Sequence, residues 1–197
     1  MRGFLLLHGY GNHRPRGHWQ RWLAGQLRHR GERVRYPQLP DPDDPQPAAW
    51  LDVLDAELDE LGNERVVVCH SLACSLWYLA ACTGRLSRPA DRLLLVAPAS
   101  PSVLSELGLA RFAPELWKAN VLAASARSSV RLVASDNDPT CPEAPAAELY
   151  GRPLGLDAET LPGAGHLTTA DGYGPWPAAL GWCLNPAARF ASGAPGS

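Results

Sequence analysis

The stretch VVVCHSLACSLWYLAAC, residues 66–82, constrains the fold more than any other part of the chain. Residues 66–69 are apolar at consecutive positions, the pattern of a central parallel strand buried on both faces. Residues 72–82 then carry apolar side chains at helical period. Only His70 and Ser71 separate the two, with no glycine and no polar loop. A strand that turns straight into a helix places the first free N–H groups and the positive dipole end of that helix beside the corner residue. The corner residue here is a serine.

The rest of the chain repeats the alternation. Strand-like runs lie at 4–7, 33–36, 66–69, 93–97, 130–134 and 157–161. Helix-like segments lie at 18–30, 48–61, 72–82, 143–150 and 177–183. Such alternation predicts an α/β fold, a three-layer α/β/α sandwich with about six mostly parallel strands. The Pro/Asp-rich run PQLPDPDDPQP is a loop. Residues 98–129 must cross over the sheet to reach the fifth strand, which leaves too little chain for a full cap domain. No linker composition interrupts the 197 residues, so residues 1–185 are expected to form one domain and 186–197 a loosely held tail.

Bulk properties exclude several classes. Hydrophobic residues make up 46%, enough for a sizeable core, and charged residues only 19%. A net charge of −2 offers no electrostatic case for nucleic acid or an anionic membrane as partner. Seventeen of the eighteen basic residues are Arg, which reads as compositional bias rather than an anion-binding design. The five cysteines form no CxxC pair and are expected to be buried, inert thiols. The first residues lack a signal-type apolar region with a cleavage site, and no apolar run reaches membrane-spanning length, so a cytoplasmic location is expected.

A serine between a buried strand and a helix is the nucleophile elbow of α/β-hydrolases, usually written G-x-S-x-G. Cys69 and Ala73 stand here where the glycines would be, both small enough for the crowded corner. The bland alternative is a serine that only N-caps the helix. A nucleophilic serine needs a base and an orienter, in the order Ser, Asp/Glu, His, each after a strand. Asp136 and Asp138 follow the fifth strand in SDNDPTCP, and His166 follows the sixth in LPGAGHLTTADGYGPWP. Asp138 is assigned to the triad because Pro139 holds it extended, and Asp136 to a turn. The loop HGYGNH after the first strand supplies the second oxyanion N–H, from Tyr10 in preference to Gly11, beside that of Leu72. Gly11, Trp19, Tyr173 and Trp176 are candidate substrate-binding residues, although Trp176 could equally anchor the last helix. His8, His13 and His18 match no zinc spacing, so no metal site is expected. His70 reads as packing.

The segments LHGYGN…HWQRWL, HSLAC, SDNDP and AGHLTTADGYGPWP together resemble the small serine hydrolases related to retinoblastoma-binding protein 9 and bacterial YdeN. The resemblance spans about residues 3–183. It implies a compact α/β-hydrolase whose triad falls on Ser71, Asp138 and His166. The expected reaction is acyl transfer from a small ester or amide to water through an acyl-enzyme, with no cofactor. Competing readings are a binding or scaffold protein on the same fold, or an acyltransferase using the same triad. A retinoblastoma-type partner is not expected, because LACSL lacks the Glu of an L-x-C-x-E motif.

Overall fold

The computed structural model describes residues 2–113 and 116–190. Six strands form one sheet: β1 (Arg2–Leu7), β2 (Arg33–Arg35), β3 (Glu64–His70), β4 (Ala90–Val96), β5 (Ala126–Ser135) and β6 (Asp157–Leu161). Their order is β2-β1-β3-β4-β5-β6, and every neighbouring pair is parallel. The main helices are α1 (Trp19–His29), α2 (Pro47–Asp59), α3 (Leu72–Cys82), α4 (Pro101–Glu106), α5 (Ala119–Ala124), α6 (Arg152–Leu154) and α7 (Pro177–Leu184).

Strand alternation sorts the core into two layers. Leu5, Leu7, Val67, Cys69, Leu93, Leu95 and Leu132 face one side, under α2 and α3. Phe4, Leu6, Val66, Val68, Leu94, Val96 and Val133 face the other, under α1 and α7. The sandwich is thus three layers deep, as the alternation predicts. Arg92, buried on β4, donates to the Trp182 and Cys183 carbonyls and so satisfies the last turn of α7.

Two element expectations change. The segment expected as a helix at 143–150 instead forms a π-helical turn, Ala147–Gly151, that runs into α6. Pro145 and Pro153 bracket it, and Pro153 has no N–H to continue a regular ladder. The fifth strand begins at Ala126, four residues before the apolar run; Ala126 and Ser129 pair with β4 around a bulge.

Among the described residues the long connection adds no cap. Leu104, Leu109, Phe112 and Leu122 turn inward to the core, so its short helices complete the layer. Residues 186–190, expected in the loose tail, pack on the domain. Phe190 is buried against Trp176, its N–H donates to Glu159, and Arg189 pairs with Asp157. The rest of the expected tail lies outside the described residues.

Winding direction reverses between β1 and β3. Loops leaving the two strands diverge there, and a crevice opens beyond their carboxyl ends. Registers Leu7↔Cys69 and His70↔Val96 bring the ends of β1, β3 and β4 level, so the residues that follow them share one rim.

Candidate active site

Ser71 occupies the corner between β3 and α3 with φ 58° and ψ −124°, a backbone conformation that costs energy for any residue but glycine. The neighbours hold it there. Its N–H donates to Val96 O at 2.9 Å, and its carbonyl accepts from Cys74 N at 2.9 Å. Its side chain makes no capping bond to α3, so Ser71 is not an ordinary N-cap. The hydroxyl instead lies 2.9 Å from His166 Nε2.

His166 Nδ1 lies 2.9 Å from Asp138 Oδ2 and 3.0 Å from Oδ1. A carboxylate only accepts, so Nδ1 carries the proton and Nε2 turns its lone pair to the Ser71 hydroxyl. The Asp138 side chain is fully buried. Its Oδ1 also accepts from Thr140 N at 2.8 Å and Thr140 Oγ1 at 2.9 Å, which fixes the carboxylate without a second charge. The sequence reading missed Thr140; its only signal was its place directly after the Asp-Pro pair.

Three consecutive residues at the end of β5 tie the His166 loop to the Asp138 loop. The Ser135 hydroxyl accepts from Ala164 N, Asp136 Oδ1 from Gly163 N, and Asn137 Oδ1 from Gly165 N. Asp136 therefore has the turn-bonding place expected of it. Beyond His166, the Asp171 carboxylate accepts from the backbone N–H groups of His166 and Thr168 and from the Thr168 hydroxyl. These bonds hold the Asp171 carboxyl below its ordinary range against the opposing effect of burial.

The loop after β1 closes the other side. A Cβ at Gly9 would stand 2.7 Å from Ser71 Cβ and 3.1 Å from its Oγ, so only glycine lets this backbone approach the serine. The sequence reading passed over Gly9; the signal was the HG pair directly after the strand. Beneath it, His8 is fully buried. Its Nδ1 donates to Gly9 O at 2.9 Å and its Nε2 accepts from Leu39 N at 2.9 Å. Burial pushes His8 down to about 4. Gly11, at φ 63°, gives its N–H to Pro42 O at 2.8 Å. The N–H of Leu72 is the first of α3 and has no partner within the helix.

Ser71, His166, Gly9, Tyr10, Gly11, Asn12, His13, Pro15, His18, His70, Thr168 and Thr169 line an open cleft of about 340 Å³. Trp19, Tyr173 and Trp176 do not line it, which corrects their reading as substrate-binding residues. All three are buried and meet edge to face, with Trp19 and Trp176 at 5.0 Å and Tyr173 and Trp176 at 5.2 Å. The Trp19 indole donates to Leu167 O at 3.0 Å, so this cluster braces the His166 loop from behind. Such rings do more work as packing than as an exposed surface.

His70 is more than packing, since its Nε2 donates to the His166 carbonyl at 3.0 Å. Its ring lies 5.1 Å from that of His166 and 5.5 Å from that of His18. Burial lowers His70 well below the usual histidine range and takes His18 to about 4, so both are neutral rings beside His166. His8, His13 and His18 do not converge. His13 pairs with Asp43, and His18 Nδ1 accepts from Gln20 N.

A family model described as serine hydrolase matches residues 4–182. Among curated proteins, none matches in sequence. Among solved structures, the ydeN gene product of B. subtilis is similar with a TM-score of 0.80 at 22% identity, over 93% of this chain and 97% of that one. A putative YdeN-like hydrolase from Pectobacterium atrosepticum gives 0.67 at 18% identity, over 91% and 86%. Est1E from Butyrivibrio proteoclasticus, solved with ferulic acid bound, gives 0.63 at 15% identity, over 85% and 82%. At these identities the likeness establishes the shared α/β-hydrolase fold.

Proposed function

The chain belongs to the serine hydrolase family, and from that premise we propose that it cleaves small esters or amides by acyl transfer through Ser71. The observation that carries this is the continuous line Ser71 Oγ, His166 Nε2, His166 Nδ1, Asp138, with both contacts at 2.9 Å. His166 takes the serine proton as Ser71 attacks the carbonyl carbon. Asp138 holds the required tautomer and stabilises the imidazolium. His166 then protonates the leaving group, and in the second half it activates the water that releases the acyl group.

The oxyanion is assigned to the N–H groups of Leu72 and Tyr10. Two observations favour Tyr10 over Gly11. The Gly11 N–H is already given to Pro42 O. The Gly9–Tyr10 peptide is trans, and its carbonyl is turned to the His8 ring, so its N–H points the opposite way. No step requires a cofactor. The cleft, walled by Tyr10, Pro15 and the threonines after His166, suits a short acyl group rather than a long chain.

The test is labelling with a fluorophosphonate, followed by turnover of short esters and aminoacyl amides. Wild-type protein should label at Ser71, and Ser71→Ala should fold, lose the label and lose about 10⁴-fold or more in kcat. Labelling that persists in the variant would move the nucleophile elsewhere. A wild-type chain that neither labels nor turns over substrate would favour a binding role on the same fold.

A further inference from the structure

A second cleft, of about 130 Å³, lies apart from Ser71 and is lined by Arg14, Arg21, Arg28 and Tyr36. Arg21 and Arg28 are two helical turns apart on α1 and share a face. Arg14 comes from the loop before α1, and Tyr36 follows β2.

Like charges do not gather without cause, and here each guanidinium is anchored by a backbone carbonyl. Arg14 Nη1 donates to Tyr36 O at 2.6 Å, Arg21 Nη1 to Arg14 O at 2.9 Å, and Arg28 Nη2 to Val34 O at 3.3 Å. A side-chain amide, that of Gln38, accepts from Arg14 Nε at 3.1 Å. Among the described residues none of the three pairs with a carboxylate, whereas Arg33, Arg35, Arg85 and Arg131 each do. Each guanidinium has five N–H donors, so most remain free. Arg14 also has φ 51°, the left-handed region, with its N–H bonded to Asn12 Oδ1, so its backbone is fixed before any ligand arrives.

Tyr36 is an independent sign. It is 7% exposed, the Arg14 guanidinium lies 5.4 Å from its ring centroid, and its buried hydroxyl has no hydrogen-bond partner. An unpaired buried hydroxyl is costly, because it gives up its hydrogen bonds to water and gains none in return. Burial holds that hydroxyl protonated, and hence a donor, although Arg14 and Arg21 oppose the shift. We propose that this cleft is a binding site for a phosphate group, held by Arg14, Arg21 and Arg28 with the Tyr36 hydroxyl as fourth donor. A phosphate dianion offers enough acceptor oxygens for four donors, whereas a carboxylate carries one charge on two oxygens. The small volume excludes a nucleotide but admits a free phosphate or the head of a small phosphomonoester.

The test is calorimetric titration of the full chain with inorganic phosphate at pH 8, ionic strength being held constant with sodium chloride. One phosphate should bind per chain. Arg21→Gln and Arg28→Gln should each weaken it about tenfold, and Tyr36→Phe about fivefold. Fluorophosphonate labelling of Ser71 should persist in all three, because none touches the catalytic cleft. A parallel titration with glycerol 1-phosphate separates the two sources: tighter binding than phosphate identifies a monoester, and equal or weaker binding identifies free phosphate. No binding above the chloride background, or an affinity unchanged in the Arg21→Gln/Arg28→Gln double variant or in Tyr36→Phe, would overturn the site.

Discussion

At the scale of single residues, the two aspartates after β5 separate by partner. Asp138 is buried on the His166 ring, while Asp136 accepts one backbone N–H from Gly163. Asp138→Asn would present an amide to Nδ1 and favour the wrong tautomer, so kcat should fall about 10⁴-fold. Asp136→Asn keeps an acceptor oxygen and should cost far less; steady-state kinetics of both variants checks the order. Gly9 makes a sharper case. A methyl group there would collide with the Ser71 Cβ. Gly9→Ala should therefore keep the fold but lose about 10²-fold or more in kcat, because displacement of the loop after β1 against Ser71 misplaces the reacting atoms. Normal turnover with an unchanged circular dichroism spectrum would show that the loop can retreat at no cost.

At the scale of elements, the join of β3 to α3 carries two thiols. Cys69 ends the apolar run of β3 and Cys74 lies in the first turn of α3, donating to the Cys69 and Val96 carbonyls at 3.5 Å. Burial raises both thiols above the usual cysteine range. A protonated, buried thiol does not react. Iodoacetamide should therefore leave fluorophosphonate labelling intact in native protein. Loss of labelling after alkylation would mean that one of these thiols opens to solvent. The same elements account for the bracing of His166: α1 brings Trp19 to Leu167, and the segment before α7 brings Trp176 behind it.

At the scale of the molecule, buried neutral histidines make stability depend on pH. His8 and His18 are lowered by burial from 6.5 to about 4. Above pH 6.5 neither the folded nor the unfolded chain protonates them, and their full contribution is present. As pH falls from 6.5 to 4, the unfolded chain takes up protons that the folded chain refuses, and stability is lost, by on the order of a few kcal/mol for each group. Melting temperature should fall steadily between pH 6.5 and 4.5, and His18→Gln should flatten that slope. A slope unchanged in the variant would remove His18 from the account. The whole-molecule shape also bears on substrate length. The crossover between β4 and β5 buries Leu104, Leu109, Phe112 and Leu122 in the core and leaves the cleft open, so kcat/KM for p-nitrophenyl esters should peak between acetyl and hexanoyl and fall by dodecanoyl. A maximum at long chains would require a tunnel that this cleft does not contain.

The fold class, the strand–Ser71–helix corner and the loops that carry Asp138 and His166 were legible in the chain itself, because consecutive apolar residues, helical period and loop position are local properties. The proline after Asp138 likewise set it apart from Asp136, and Asp138 is the one that meets the His166 ring. What surrounds those residues was not local. Whether Trp19, Tyr173 and Trp176 wall a pocket or brace a loop depends on which side of the sheet α1 and α7 cover. Gly9 matters only because β1 lies beside β3, which brings two loops 60 residues apart in sequence within van der Waals reach. The arginines read as mere composition until α1 and the loop before it set three of them around the unpaired phenol that follows β2. Sequence period decides which face of an element is buried; only the packing of elements decides what that face meets.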